Sequence, residues 1–86
     1  MSEKPIRFSK HALDRLPDRG ATEEEVRRAV REGAREPAKQ GRQMFRLNLP
    51  FNDFWQGQKY EIKQVAPVVA ETPEQVVVVT VYTFYF

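Results

Sequence analysis

His11 is the only histidine in the chain, and Arg15 follows it by four residues. Histidine ordinarily titrates close enough to neutral pH to accept a proton, and four residues is one helical turn, so a proton acceptor and an anion-binding guanidinium would share a helix face. Toward the other end, Thr80 and Tyr82 stand two apart in the run Gln75 to Phe86. Side chains of a strand alternate, so the two hydroxyls point the same way, and a hydroxyl on a covered strand must find a partner. Arg46 and Lys63 join them on that face if neighbouring strands stand level. Each residue also has a plain structural use. His11 can make a local hydrogen bond at a helix start, and Arg15 can pair with Asp14 or Asp18. Lys63 can be an ordinary exposed strand residue, and threonine and tyrosine pack well across strands.

The elements that must position these groups follow from periodicity. Ile6 and Phe8 alternate with Pro5 and Arg7, which predicts a short edge strand, and Ser9 is a suitable cap for a helix over Lys10 to Arg19. Pro17 predicts that this helix ends or kinks near Leu16, leaving the direction of Arg19 open. Thr22 with Glu25 forms a capping box for a second helix, near residues 22 to 33, which Gly33 closes. Its acidic start and basic end suit the helix dipole, so those charges need no catalytic explanation. A polar connection spans Arg35 to Gln43.

The period then changes to two. Phe45, Leu47 and Leu49 share one face and Met44, Arg46 and Asn48 the other, with a strand end expected near Pro50. Phe51 to Gly57 reads as the turn into a second strand over Lys59 to Val69, with Tyr60 and Ile62 toward the core and Glu61 and Lys63 behind. After a turn at Glu71 to Glu74 comes the last strand. Val76, Val78, Thr80, Tyr82, Phe84 and Phe86 point one way and Val77, Val79, Val81, Thr83 and Tyr85 the other, and both faces are apolar enough to place it inside a sheet. The expected fold is one α+β domain over residues 1–86, with two helices on one face of a three- to four-stranded antiparallel sheet.

Composition narrows the function. The chain has 86 residues, of which 41% are hydrophobic, and no cysteine, so disulfides and thiolate metal sites are excluded and a single histidine cannot build a His-rich zinc centre. No metal or other cofactor is expected. The polar start and the lack of a long apolar run predict no signal peptide, no membrane contact and a cytoplasmic location. Residues 1–46 carry twelve Lys/Arg against eight Asp/Glu, and the remainder two against four. That basic half suits phosphate or an acidic partner.

Phe8-Ser-Lys-His-Ala-Leu-Asp-Arg15, Arg19-Gly20, Glu25-Val26 and Val78-Val-Thr-Val-Tyr82 together resemble a family of small bacterial domains of unknown function with a His-Ala-x-x-Arg opening, similar to BrnT and the RelE/ParE toxins. The resemblance covers nearly the whole chain. It implies a RelE-like fold shared with metal-independent ribonucleases and an antitoxin-like protein as partner. Pro17 departs from the pattern.

Such cleavage needs a base for the 2′-hydroxyl, a cation for the phosphorane and an acid for the leaving oxygen. His11 would be the base, Arg15, Arg46 or Lys63 the cation and Tyr82 the acid, with Thr80 beside them. Arg19, Arg46 and Trp55 would contact RNA, Trp55 by stacking together with Phe51 and Phe54. A hairpin tip folded onto the sheet, or a homodimer contact, competes for those aromatics. Two functions therefore stand after the sequence is read, an endoribonuclease acting by transesterification and a non-catalytic protein- or RNA-binding module. A DNA-binding regulator ranks last, because neither helix is basic along one face.

Overall fold

The computed structural model describes residues 4–86; the Met-Ser-Glu start, on which part of the expectation about targeting rested, lies outside them. Strand β1 (Ile6–Phe8) leads into helix α1 (Lys10–Arg19) and helix α2 (Glu23–Glu32), followed by β2 (Ala34–Pro37), a 3₁₀ turn at Lys39–Gly41, and the strands β3 (Gln43–Trp55), β4 (Gln58–Glu71) and β5 (Val76–Tyr85). The architecture is α+β. Its sheet has five strands in the order β1-β5-β4-β3-β2, so it is larger than expected. It is also mixed, because β1 runs parallel to β5 while the other pairs are antiparallel. β5 lies between β1 and β4, as its two-sided apolarity requires. Among the described residues no helix is long and apolar enough to cross a membrane.

Both helices cover one face, hereafter the helix face. Ala12, Leu16, Ala21, Val26 and Ala29 meet Leu49, Val65, Val69, Val78 and Val81 there. Val26, Val65, Val69, Val78 and Val81 are fully buried, each contributing about 1.5–3 kcal/mol by leaving water.

The helix ends follow local chemistry. Thr22 Oγ1 accepts from the Glu25 N–H while the Glu25 carboxylate accepts from the Thr22 N–H, completing the capping box. Ser9 caps α1 by accepting from the Ala12 N–H. Pro17 neither ends nor breaks α1, which runs on to Arg19. Only the last turn follows the proline, and its exposed ring lies outside the core. The helix closes on left-handed Gly20, whose N–H reaches the Pro17 carbonyl while the Ala21 N–H reaches that of Leu16.

Three further expectations give way. Arg35, Glu36 and Pro37 of the polar connection, together with Ala34 before it, pair with β3 as an edge strand. β3 continues beyond Pro50, which stays in register with Ile62 and lies past the end of β2 pairing at Arg46, so no partner on the outer edge needs its missing N–H; an irregularity follows before Asp53, with Asn52 at φ 48°, and the reversal occurs at Gln56-Gly57. Both of those residues have positive φ, as a two-residue hairpin turn demands. Finally, Val79 is an extra, unpaired residue in β5, since Val69 pairs with Val78 but Val68 with Thr80. This bulge shifts the alternation. Val78 therefore joins Val81 in the core instead of sharing a face with Thr80.

Candidate functional site

The seam between α1 and β5 gathers most of the residues singled out from the sequence. The Ser9 N–H donates to the Val78 carbonyl and the Ser9 hydroxyl to that of Val79, which ties the start of α1 to the bulge. His11, two residues later, then stands beside Thr80, with Nε2 and Oγ1 3.3 Å apart. At the far end of α1, the Arg19 carbonyl accepts from Thr83 Oγ1 at 2.8 Å and from the Tyr85 hydroxyl at 2.7 Å. The helix is therefore fastened along β5 at both ends.

His11, Arg15 and Arg19 recur every four residues and form one stripe bordering the face without helices, hereafter the open face. The Arg19 guanidinium carbon lies 5.9 Å from the centroid of the Tyr82 ring. Arg15 donates to Asp18 at 3.0 Å, an exposed pair of small energetic worth. The Nε atoms of Arg15 and Arg19 are both buried without a hydrogen-bond partner among the described residues. Both side chains are otherwise part-exposed, so the stripe presents two cations, which suits an anion.

Three rows cross the open face. Register aligns Glu36 with Met44, Met44 with Val68, and Val68 with Thr80. The next row carries Arg46, then Ala66 and Tyr82, and the third aligns Asn48, Gln64 and Phe84. Arg46 is held by Glu36 and by Gln64 Oε1 at 2.9 Å, with its guanidinium carbon 5.3 Å from the Phe84 ring centroid. Tyr82 and Phe84 keep 41% and 40% of their surface exposed, which leaves ring area for a ligand. Between β5 and the 3₁₀ turn lies a groove of about 660 Å³ whose lining includes Thr80, Tyr82 and Phe84.

Lys63 and Trp55 are elsewhere. Lys63 was expected on the open face, but it points into the helix face, where Nζ donates to Glu25 and to the Gly20 carbonyl, each at 2.9 Å. The Glu61 and Ile62 N–H groups both reach the Phe86 carbonyl, which slips the alternation between Tyr60 and Lys63 and brings both beside Tyr85. Trp55, expected to stack on RNA bases, instead stacks on Tyr85 with centroids 5.1 Å apart and lies across Gly20. Its hairpin is folded against the helix face. Burial pushes the Tyr85 phenol pKa upward, Thr83 opposes this by hydrogen bonding, and the Glu25 charge adds to it.

Sequence reasoning did not single out Phe84, Met44 or the turn residues Lys39 and Arg42. Phe84 was legible as a facemate of Tyr82, but no local pattern announces that the turn folds over the sheet to close a groove. Among the described residues no three His, Cys, Asp or Glu side chains are grouped to hold a metal ion. The site thus offers an imidazole, two guanidinium groups and two hydroxyls along one border. No family model, curated protein or solved structure matches the chain.

Proposed function

We propose that this α+β domain is a RelE-like, metal-independent endoribonuclease whose site is the border between α1 and the open face. The observation that carries this reading is the placement of His11 Nε2 3.3 Å from Thr80 Oγ1, with Tyr82 next on the same face and Arg19 over its ring. These groups come from opposite ends of the chain.

In the tautomer with the proton on Nδ1, His11 Nε2 accepts from the Thr80 hydroxyl, which then marks where a ribose 2′-oxygen would sit. His11 takes the 2′-proton as the 2′-oxygen bonds to phosphorus. The bond from phosphorus to the 5′-oxygen breaks, and the departing oxygen takes the Tyr82 proton. Alternate strand residues lie roughly 7 Å apart, enough to place base and acid on opposite sides of one phosphorus. Arg15 and Arg19 neutralise the phosphorane.

The test is incubation of unpaired RNA with the protein in EDTA. Products ending in a 2′,3′-cyclic phosphate are expected, and His11→Ala should slow their formation by roughly 10²-fold without changing the melting temperature. RNA left intact by folded wild-type protein at high concentration would reject catalysis. The second reading, a non-catalytic RNA-binding module, draws support from Arg46, whose guanidinium is already held over Phe84 by Glu36 and Gln64. It requires no proton transfer.

A further inference from the structure

We infer that the groove between β5 and the Lys39–Gly41 turn seats an unpaired nucleobase next to the phosphate held by α1. This deepens the proposed function and rests on it for the position of that phosphate. Thr80 and Tyr82 belong both to the catalytic border and to the groove lining, so a phosphate beside His11 places the adjoining nucleotide over the groove.

The groove's chemistry matches a flat ring bearing anionic neighbours. Met44, Val68 and Phe84 supply apolar surface, and the exposed face of Phe84 suits a ring that stacks regardless of base identity. Lys39 and Arg42 stand at the turn, and neither is in an ion pair among the described residues. The acid that lines the groove, Glu36, is already neutralised by Arg46. An anionic ligand therefore meets two unengaged cations and no uncompensated carboxylate. A paired base cannot enter, because its ring faces are covered within the duplex stack. The expected ligand class is single-stranded RNA with a base turned out of the stack.

The probe is a short 2′-O-methyl oligonucleotide carrying 2-aminopurine, which has no free 2′-hydroxyl to attack and so reports binding without cleavage. Its fluorescence should be quenched on binding, and the single strand should bind more tightly than its own duplex. Phe84→Ala should weaken binding roughly tenfold, the scale of removing one aromatic ring from under a stacked base. Lys39→Ala with Arg42→Ala should flatten the dependence of affinity on salt, by roughly 0.7 in logarithmic slope for each phosphate that is no longer neutralised. Equal affinity for duplex and single strand, or affinity untouched by Phe84→Ala and by Phe84→Leu, would overturn the base seat. Quenching that depends on Phe84, seen with a protein that cleaves no RNA, supports the base seat while rejecting catalysis. Cleavage that depends on His11 but not on Phe84, Lys39 or Arg42 does the reverse.

Discussion

Replacing Lys63 separates a structural lysine from a catalytic one. The Lys63 side chain is 8% exposed and its Glu25 partner 26%, so the pair sits in partly excluded solvent with good geometry. Removing one member of a buried pair costs about 3–5 kcal/mol. Glu25 is a quarter exposed and keeps the Thr22 N–H, which places Lys63→Ala near the lower end, about 3 kcal/mol, with the Gly20 carbonyl also losing its donor. Lys63→Met also removes the ammonium from Glu25, the Gly20 carbonyl and the Phe51 ring, but fills the volume that alanine leaves empty, so it should cost somewhat less, about 2–3 kcal/mol. At about 4–8 °C per kcal/mol for a domain of this size, the alanine variant should melt roughly 12–24 °C below wild type and the methionine variant below wild type by somewhat less. Thermal melts followed by circular dichroism read these shifts. RNA cleavage, assayed well below both melting temperatures, should be unchanged per folded molecule. A Lys63→Met protein that melts with wild type yet cleaves nothing would refute the face assignment and return Lys63 to the chemistry.

Two more outcomes follow from the α1 terminus. Gly20 has φ 70°, and an added Cβ would come within 2.6 Å of Trp55 and of the Tyr85 hydroxyl. Gly20→Ala should therefore lose about 1–2 kcal/mol to left-handed strain, with a further loss from displacing Trp55; an unchanged denaturant midpoint would contradict the packing. Tyr85, whose pKa burial raises, contributes stability that is fully present below the ordinary tyrosine range and is lost as pH rises through the folded-state value. Urea titrations at about pH 8 and about pH 11 should show wild type losing more stability than Tyr85→Phe, and equal losses would exclude this linkage.

Much of the scaffold was legible because its signals are local. The Thr22/Glu25 capping box needs only a three-residue spacing, and the interior position of β5 follows from its unbroken apolarity. Pro17 misled because its penalty depends on how much helix follows it, and here that is one short turn closed by Gly20. β2 carries no alternation at all; it is a strand because α2 ends where the chain can lie against β3. Lys63 was placed on the wrong face because Tyr60 suggested the phase of β4, while Val65 to Val69 are apolar at every position and could not correct it. The slip at Glu61 and Ile62 depends on the Phe86 carbonyl, a partner from another part of the chain. The site was half visible: residue type selected His11, Arg15, Arg19, Thr80 and Tyr82, whereas the groove is a product of tertiary packing.

The Val79 bulge explains why these selected residues meet. With unbroken alternation, the face that buries Val78 would also bury Thr80, Tyr82 and Phe84 under the helices, and Val81 would face outward. One unpaired residue reverses that phase, so Val78 and Val81 are both fully buried while Thr80, Tyr82 and Phe84 reach the open face. The same position fixes α1, because β1 pairing ends at Val78 and Ser9 grips the carbonyls of Val78 and Val79. The cap that starts the helix is thus anchored to the bulge that turns the strand. His11 follows Ser9 by two residues and Thr80 follows Val79 by one, so their contact is set by two short backbone segments joined at one point. The Ser9 side chain carries this join, since its hydroxyl both caps α1 and donates to the Val79 carbonyl, so one residue links the strand phase that sets the buried core to the helix start that places His11.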